Sequence, residues 1–185
     1  MEADELNQVS ACENNLARAS GWAGVADQKA GFILTLTLVV LGYLTTQLGD
    51  FFSALFSKWS ASPSAPALFV FLILVLLTAL VGMVGAIINL VSLIRPRLAP
   101  ASAKQSLLFF QTIAPMPCDE FTQALTTLDQ KGYVNALCDQ THNVSKIVVE
   151  KFRKLNASIN WFWVGVGAVV VFSFFRPLFV KLLER

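Results

Sequence analysis

Residues 67–94 read ALFVFLILVLLTALVGMVGAIINLVSLI, 28 residues without a charge, closed by Arg95-Pro96-Arg97. At about 1.5 Å per residue a helix of that length is about 42 Å long, more than the roughly 30 Å hydrocarbon core of a bilayer. It can span a membrane with tilt, or run on past one face. A buried helix in so small a soluble protein would rarely be apolar on every side for so long. Two arginines stand at one end of the stretch and no basic residue lies near the other. By the positive-inside rule the Arg95 end is then the cytoplasmic one. This stretch makes the chain a membrane protein.

The bulk composition agrees. Of 185 residues 55% are hydrophobic and 14% charged, against about 25% charged in soluble domains. A net charge of +2 is too small to make nucleic acid a bulk partner. Cys12, Cys118 and Cys138 are odd in number and lack CxxC or metal spacing, which reads as reduced thiols in the cytoplasm. A single histidine argues against a multi-histidine metal site. There is no Gly-rich phosphate loop, GxSxG or HExxH, so no catalytic residue and no enzyme is expected.

On the N-terminal side, residues 1–29 are polar and hold five acids (Glu2, Asp4, Glu5, Glu13, Asp27) against Arg18 and Lys29, unlike a signal peptide. At 100° per residue Val9, Leu16, Ala23 and Asp27 fall within about 20° of one line, an amphipathic helix with a narrow seam. Asp27 lies on that seam, either solvated at the interface or paired with another cytoplasmic element. Residues 30–49 carry no charge and make a first span; Thr35, Thr37, Thr45 and Thr46 can bond back to helix carbonyls. Residues 50–66 form an outer loop with Lys58, a Trp59 interface anchor and a turn-rich Ser60–Pro66. In the second span, 67–94, Gly82, Gly85 and Ala86 give a small-residue face, and Asn89 offers an interhelical hydrogen bond.

On the C-terminal side, residues 95–154 are the one sizeable polar segment after the N-terminus and hold eight of the fourteen basic residues. Prolines 96, 100, 115 and 117 cut its first half into short pieces; Ser106–Ala114 fits a short strand or a buried helical turn. A short helix is expected from Cys118 or Asp119 to Leu128, punctuated by Gly132. The next helix has a stripe of Leu137, Thr141, Val144, Val148, Phe152, Leu155 and Ile159, with Asp139, His142, Lys146, Glu150 and Arg153 opposite. It continues into a third span, 155–175, with Trp161 and Trp163 at the border and Gly165 and Gly167 for close packing. Residues 176–185 form an outer tail. Ten Lys+Arg fall on the proposed inner side and four on the outer, which puts the N-terminus and residues 95–154 in the cytoplasm. The expected fold is mostly α: a multi-pass protein with three transmembrane helices and a small helical cytoplasmic unit.

Three pieces are distinctive together: Ala26-Asp27-Gln28-Lys29-Ala30-Gly31 entering the first span, Leu107-Leu108-Phe109-Phe110 with Ile113-Ala114 after the second, and Asn143 through Lys151-Phe152-Arg153 leading into the third. Their order resembles the membrane-spanning effectors of Pycsar, the bacterial antiphage system built on cyclic pyrimidine mononucleotides. The resemblance covers about residues 20 to 170. One departure is Gln111, where the family commonly has glycine after the aromatic pair. The resemblance implies an effector in the bacterial inner membrane, silent until a pyrimidine cyclase makes cyclic UMP or cyclic CMP. The nucleotide then switches the spans, impairs the bilayer and stops growth. It implies a regulatory ligand and no cofactor, with the lipid bilayer as partner. The small-residue packing of the spans points to self-association.

The nucleotide contacts follow from chemistry alone. A cyclic mononucleotide needs a cation or backbone amides for its phosphate and a flat or hydrogen-bonding surface for its base. Lys29, Lys146 and Arg153 are candidate phosphate partners, Phe109 and Phe110 candidate base platforms, and His142 and Asn143 candidate base-edge contacts. Membrane-flanking charge is the competing reading of the cations, and core packing that of the phenylalanines. Asp27 is read as the ion-pair partner of one of these bases. Two other classes stay open: an ungated, holin-like pore, and a structural subunit that docks a partner protein.

Overall fold

The computed structural model describes residues 2–58, 65–95 and 107–183, and within these leaves aside the side chains of residues 2–6, 54–58, 65–66, 110–111 and 182–183. Its helices are α1 (Glu2–Lys58), α2 (Ala65–Ile94), α3 (Phe110–Ile113), α4 (Cys118–Thr126) and α5 (Gln130–Leu183). No strand occurs among the described residues. Three helices contain stretches long and apolar enough to cross a membrane, within Asn7–Ser53, Ala67–Ile94 and Gln130–Lys181. The Trp59 anchor, the turn residues Ser60 to Ser64, Arg97 and Lys104 lie outside the described residues. The chain divides into two compact units, Met1–Gln28 with Arg95–Arg153 and Lys29–Ile94 with Lys154–Arg185; α1 and α5 each contribute to both.

The second unit is the spanning one. α1 and α5 run parallel in it, as the contacts Tyr43–Ser173 and Asp50–Arg176 require. α2 runs against α5: Phe71 meets Phe175, Gly82 meets Gly165, Gly85 meets Trp161, and the Lys154 ammonium donates to the Ser92 carbonyl. That last bond satisfies a carbonyl in the final turn of α2, where a cation also suits the helix dipole. The helix stops at Ile94, two residues before Pro96, because the residue preceding a proline is pushed out of the α region.

Packing between α2 and α5 depends on missing side chains. A Cβ built on Gly82 would lie 2.6 Å from the Gly165 backbone nitrogen and 2.7 Å from its Cα. One built on Gly85 would lie 2.9 Å from the Trp161 ring, and one on Gly165 2.9 Å from the Met83 methyl. Gly167, expected to serve the same end, faces open space. Asn89 also departs from expectation: its amide donates to the Gly85 carbonyl of its own helix at 2.8 Å. Lipid provides no water to accept that amide, and the carbonyl one turn back is the nearest partner. The threonines behave as read, Thr35 and Thr37 donating to Gly31 and Ile33, and Thr45 and Thr46 to Gly42 and Tyr43.

The end of the spanning unit around Phe51 and Arg176 corrects two expectations. α1 does not stop at Gly49 but runs to Lys58, so residues 50–58 of the expected outer loop are helical. Phe51 explains the extension: it is fully buried, with ring centroids 5.5 Å from both Phe172 and Phe179 and 6.2 Å from Phe69. Residues 176–183 likewise continue α5 through Pro177 rather than forming a separate tail. Phe179 is buried in the same cluster, and Arg176 bonds to Gln47 and, at 3.0 Å, to Asp50. These contacts hold the helix across a proline that removes one backbone donor. Away from this core the surface is apolar too, with Phe32, Val39, Ile88 and Phe174 each more than 60% exposed, as lipid-facing side chains are.

Candidate functional site

The first unit is built from the N-terminal part of α1, the segment carrying α3 and α4, and the first part of α5. Ser106–Ala114, left open between strand and helix, contains the short helix α3 over Phe110–Ile113; Ser106 itself is outside the described residues. Gln111 is helical, and no described residue has a positive φ, so the backbone after the aromatic pair adopts a form open to any residue. α4 starts after Pro117, with Asp119 and Glu120 in the first turn favoured by the dipole.

Gly132 does not punctuate the chain as expected. It lies inside α5, which begins at Gln130. Asp129 makes that start: its carboxylate accepts the Gly132 N–H at 2.9 Å and its carbonyl accepts the Tyr133 N–H at 3.0 Å. This is an N-cap, and the aspartate before a patterned run was the signal for it.

In this unit α1 and α5 run parallel. Tyr133 donates to Glu13 at 3.0 Å, the thiols of Cys12 and Cys138 are 3.7 Å apart, Trp22 meets Phe152 edge-on at 6.3 Å, and Lys151 reaches both carboxylate oxygens of Asp27 at 2.6 Å. The hydrogen bond to Glu13, burial and the Glu13 charge together hold the Tyr133 phenol above its usual value. The partner of Asp27 is thus Lys151, not Lys29, Lys146 or Arg153. Lys151 points to α1 because it lies on the side of α5 opposite Lys146 at 100° per residue. Charge reversal tests the pair. Asp27→Lys and Lys151→Asp should each cost about 1 kcal/mol, little because the pair is partly exposed, and the double reversal should recover most of it. Additive losses in thermal denaturation would show that the two charges are uncoupled.

The candidate nucleotide contacts fall on different elements of the chain. Lys29 is exposed and belongs to the spanning unit. Phe109 is half-buried ahead of α3, and the side chain of Phe110 lies outside the described residues. His142, Lys146 and Arg153 are exposed within about 40° of one line on α5, and Asn143 beside them is half-buried. Arg153 is held by Glu150 on its own helix at 2.6 Å, which raises its pKa further.

A concave site lies elsewhere in this unit. A cavity of about 510 Å³ is lined, among the described residues, by Gln8, Asp129, Gln130, Lys131 and Val134. Ligand pockets run from about 300 to 1,000 Å³. Here Lys131 supplies a cation, Gln8 and Gln130 supply amides that both donate and accept, Val134 an apolar wall, and Asp129 an acceptor beyond its capping bond. Sequence reading missed these residues, because Gln8 and Lys131 are 123 positions apart and neither stands in a motif. No cluster of metal-ligating side chains occurs among the described residues.

Together these features define an all-helical, three-span membrane protein with a separate polar helical unit that contains a ligand-sized cavity. The family model of the Pycsar effector protein domain matches residues 11–176. The chain belongs to that family, which makes it a membrane effector of an antiphage system and implies a cyclic-nucleotide signal from a cyclase. No curated protein and no solved structure matches it.

Proposed function

We propose that this effector is gated by cyclic UMP or cyclic CMP, the product of a pyrimidine cyclase, bound in the cavity beside Asp129 and Lys131. It resides in the bacterial inner membrane with its N-terminus and the polar unit in the cytoplasm. It is no enzyme and uses no cofactor. Binding impairs inner-membrane integrity and leads to growth arrest or cell death, through spans that self-associate. The family match over residues 11–176 carries this reading.

The physical support lies in the helices. α1 and α5 each take part in both units. A ligand that prefers one packing of α1 against α5 in the polar unit shifts the population of that packing by its differential affinity. The same two helices then carry the change toward the spans.

Dye leakage from liposomes containing the purified protein tests the reading, with cyclic UMP, cyclic CMP, cyclic AMP or no ligand. Leakage with a cyclic pyrimidine alone is expected. Equal leakage in every condition would mean an ungated pore. No leakage and no ligand binding, with insertion confirmed, would leave a subunit that docks a partner protein.

A further inference from the structure

The sulfurs of Cys12 and Cys138, 3.7 Å apart, are in van der Waals contact, and both cysteines are free. Cys138 is exposed and Cys12 half-buried, so a small oxidant reaches the pair. We propose that Cys12 and Cys138 form an oxidation site that closes to an intramolecular disulfide under a peroxide, tying α1 to α5 within the polar unit.

The geometry favours closure. A disulfide needs its sulfurs about 2.05 Å apart, which from contact distance is within reach of side-chain rotation. The two helices are already held together by Glu13–Tyr133 and by Trp22–Phe152, which lie on either side of Cys138 along α5. Cys118, exposed on α4, makes no sulfur contact among the described residues.

The chemistry balances with peroxide as oxidant. The Cys138 thiolate attacks one peroxide oxygen, the O–O bond breaks, and hydroxide leaves and takes up the thiol's proton as water. The sulfur of Cys12 then attacks the resulting sulfenic acid. The S–S bond forms, the S–O bond breaks, and the second hydroxide leaves with the Cys12 proton as water. Two thiols are oxidised and one peroxide is reduced to two waters. The hydrogen bond to Cys12, then burial, then the charges of Cys12 and Asp139 hold the Cys138 thiol above its usual value. Cys138 therefore keeps little thiolate at neutral pH, which slows its reaction with peroxide.

The test uses the full chain in detergent micelles, reduced, treated with hydrogen peroxide, alkylated and digested with trypsin. The expected product is the peptide of residues 1–18 joined to that of residues 132–146, two hydrogens lighter than their sum and separated by a reductant. Free thiols should fall from three to one, the remaining one being Cys118. The link should persist in Cys118→Ser. Alkylation of all three cysteines after peroxide, or sulfinic acid at Cys138 with Cys12 still free, would overturn the proposal. No nucleotide enters this measurement, so its failure leaves the gating reading standing, and failure of gating leaves the disulfide standing.

Discussion

Gly82→Leu should take the spanning unit apart, while Gly167→Leu on the same pair of helices should leave it intact. In lipid, helices gain no hydrophobic drive from meeting one another, because the acyl chains are as apolar as leucine. Association there rests on close van der Waals contact, and Gly82 provides the closest. Its missing Cβ would sit 2.6 Å from the backbone nitrogen of Gly165, a group that cannot turn aside as a flexible side chain can. Even Gly82→Ala must part α2 from α5, and should cost about 3 kcal/mol, the upper end of ordinary overpacking. The loss extends further. Ala79, Met83 and Ala86 on α2 are completely buried, and helices moved apart lose those contacts too. A Cβ built at position 167 meets nothing within 4 Å, so a side chain there should change little. The midpoint of unfolding in mixed SDS micelles reads the difference. Equal midpoints for the two leucine variants would mean that the Gly82 contact is not what holds these helices.

Lys131→Ala should weaken the binding of cyclic UMP or cyclic CMP by roughly tenfold to a hundredfold, because a hydrogen bond to a charged group contributes about 1.5–3 kcal/mol. A cyclic mononucleotide carries a single phosphate charge, so one cation suffices, and among the described residues Lys131 is the cation that lines the cavity. Lys146→Ala should change affinity by less than about twofold, because Lys146 is exposed on the part of α5 turned away from Lys151 and α1. Titration calorimetry on the micellar protein compares the two. The reverse order, with Lys146 needed and Lys131 dispensable, would move the site to the outward face of α5 and to His142, Asn143 and Arg153. Gln8→Ala separates the cases again, since Gln8 reaches the ligand only in the cavity.

The periodicity of α5 was legible residue by residue. Leu137 and Leu155 are buried, Thr141, Val144, Val148, Phe152 and Ile159 are half-buried, and Asp139, His142, Lys146 and Arg153 are exposed; Glu150, read on the polar side, is the exception and is half-buried. That pattern needs no knowledge of the partner, because a helix turns 100° per residue whatever it packs on. The small residues Gly82 and Gly85 were legible for the same reason, but Gly167 was not distinguished from Gly165. Both glycines have the right size, and only the crossing of α2 decides which of them meets a backbone. The helical ends were misjudged where tertiary contacts override a local signal. Gly49-Asp50 reads as a stop, yet burial of Phe51 against Phe172 and Phe179 carries α1 on to Lys58. The uncharged run ends at Phe175, yet Arg176 and Phe179 anchor α5 on either side of Pro177 and carry it on.

The sequence by itself determined that this is a three-span helical membrane protein with one polar unit, because runs of uncharged residues and flanking charge are properties of each segment alone. It also carried the family, through short pieces in a fixed order. Only the tertiary structure decided that Asp27 pairs with Lys151, that Cys12 meets Cys138, and that Gln8, Asp129 and Lys131 share a cavity. In each case the residue on α1 stands more than 120 positions from its partners along the chain. They are brought together by the parallel register of α1 and α5, which is set by the sum of many side-chain contacts and is written in no single stretch.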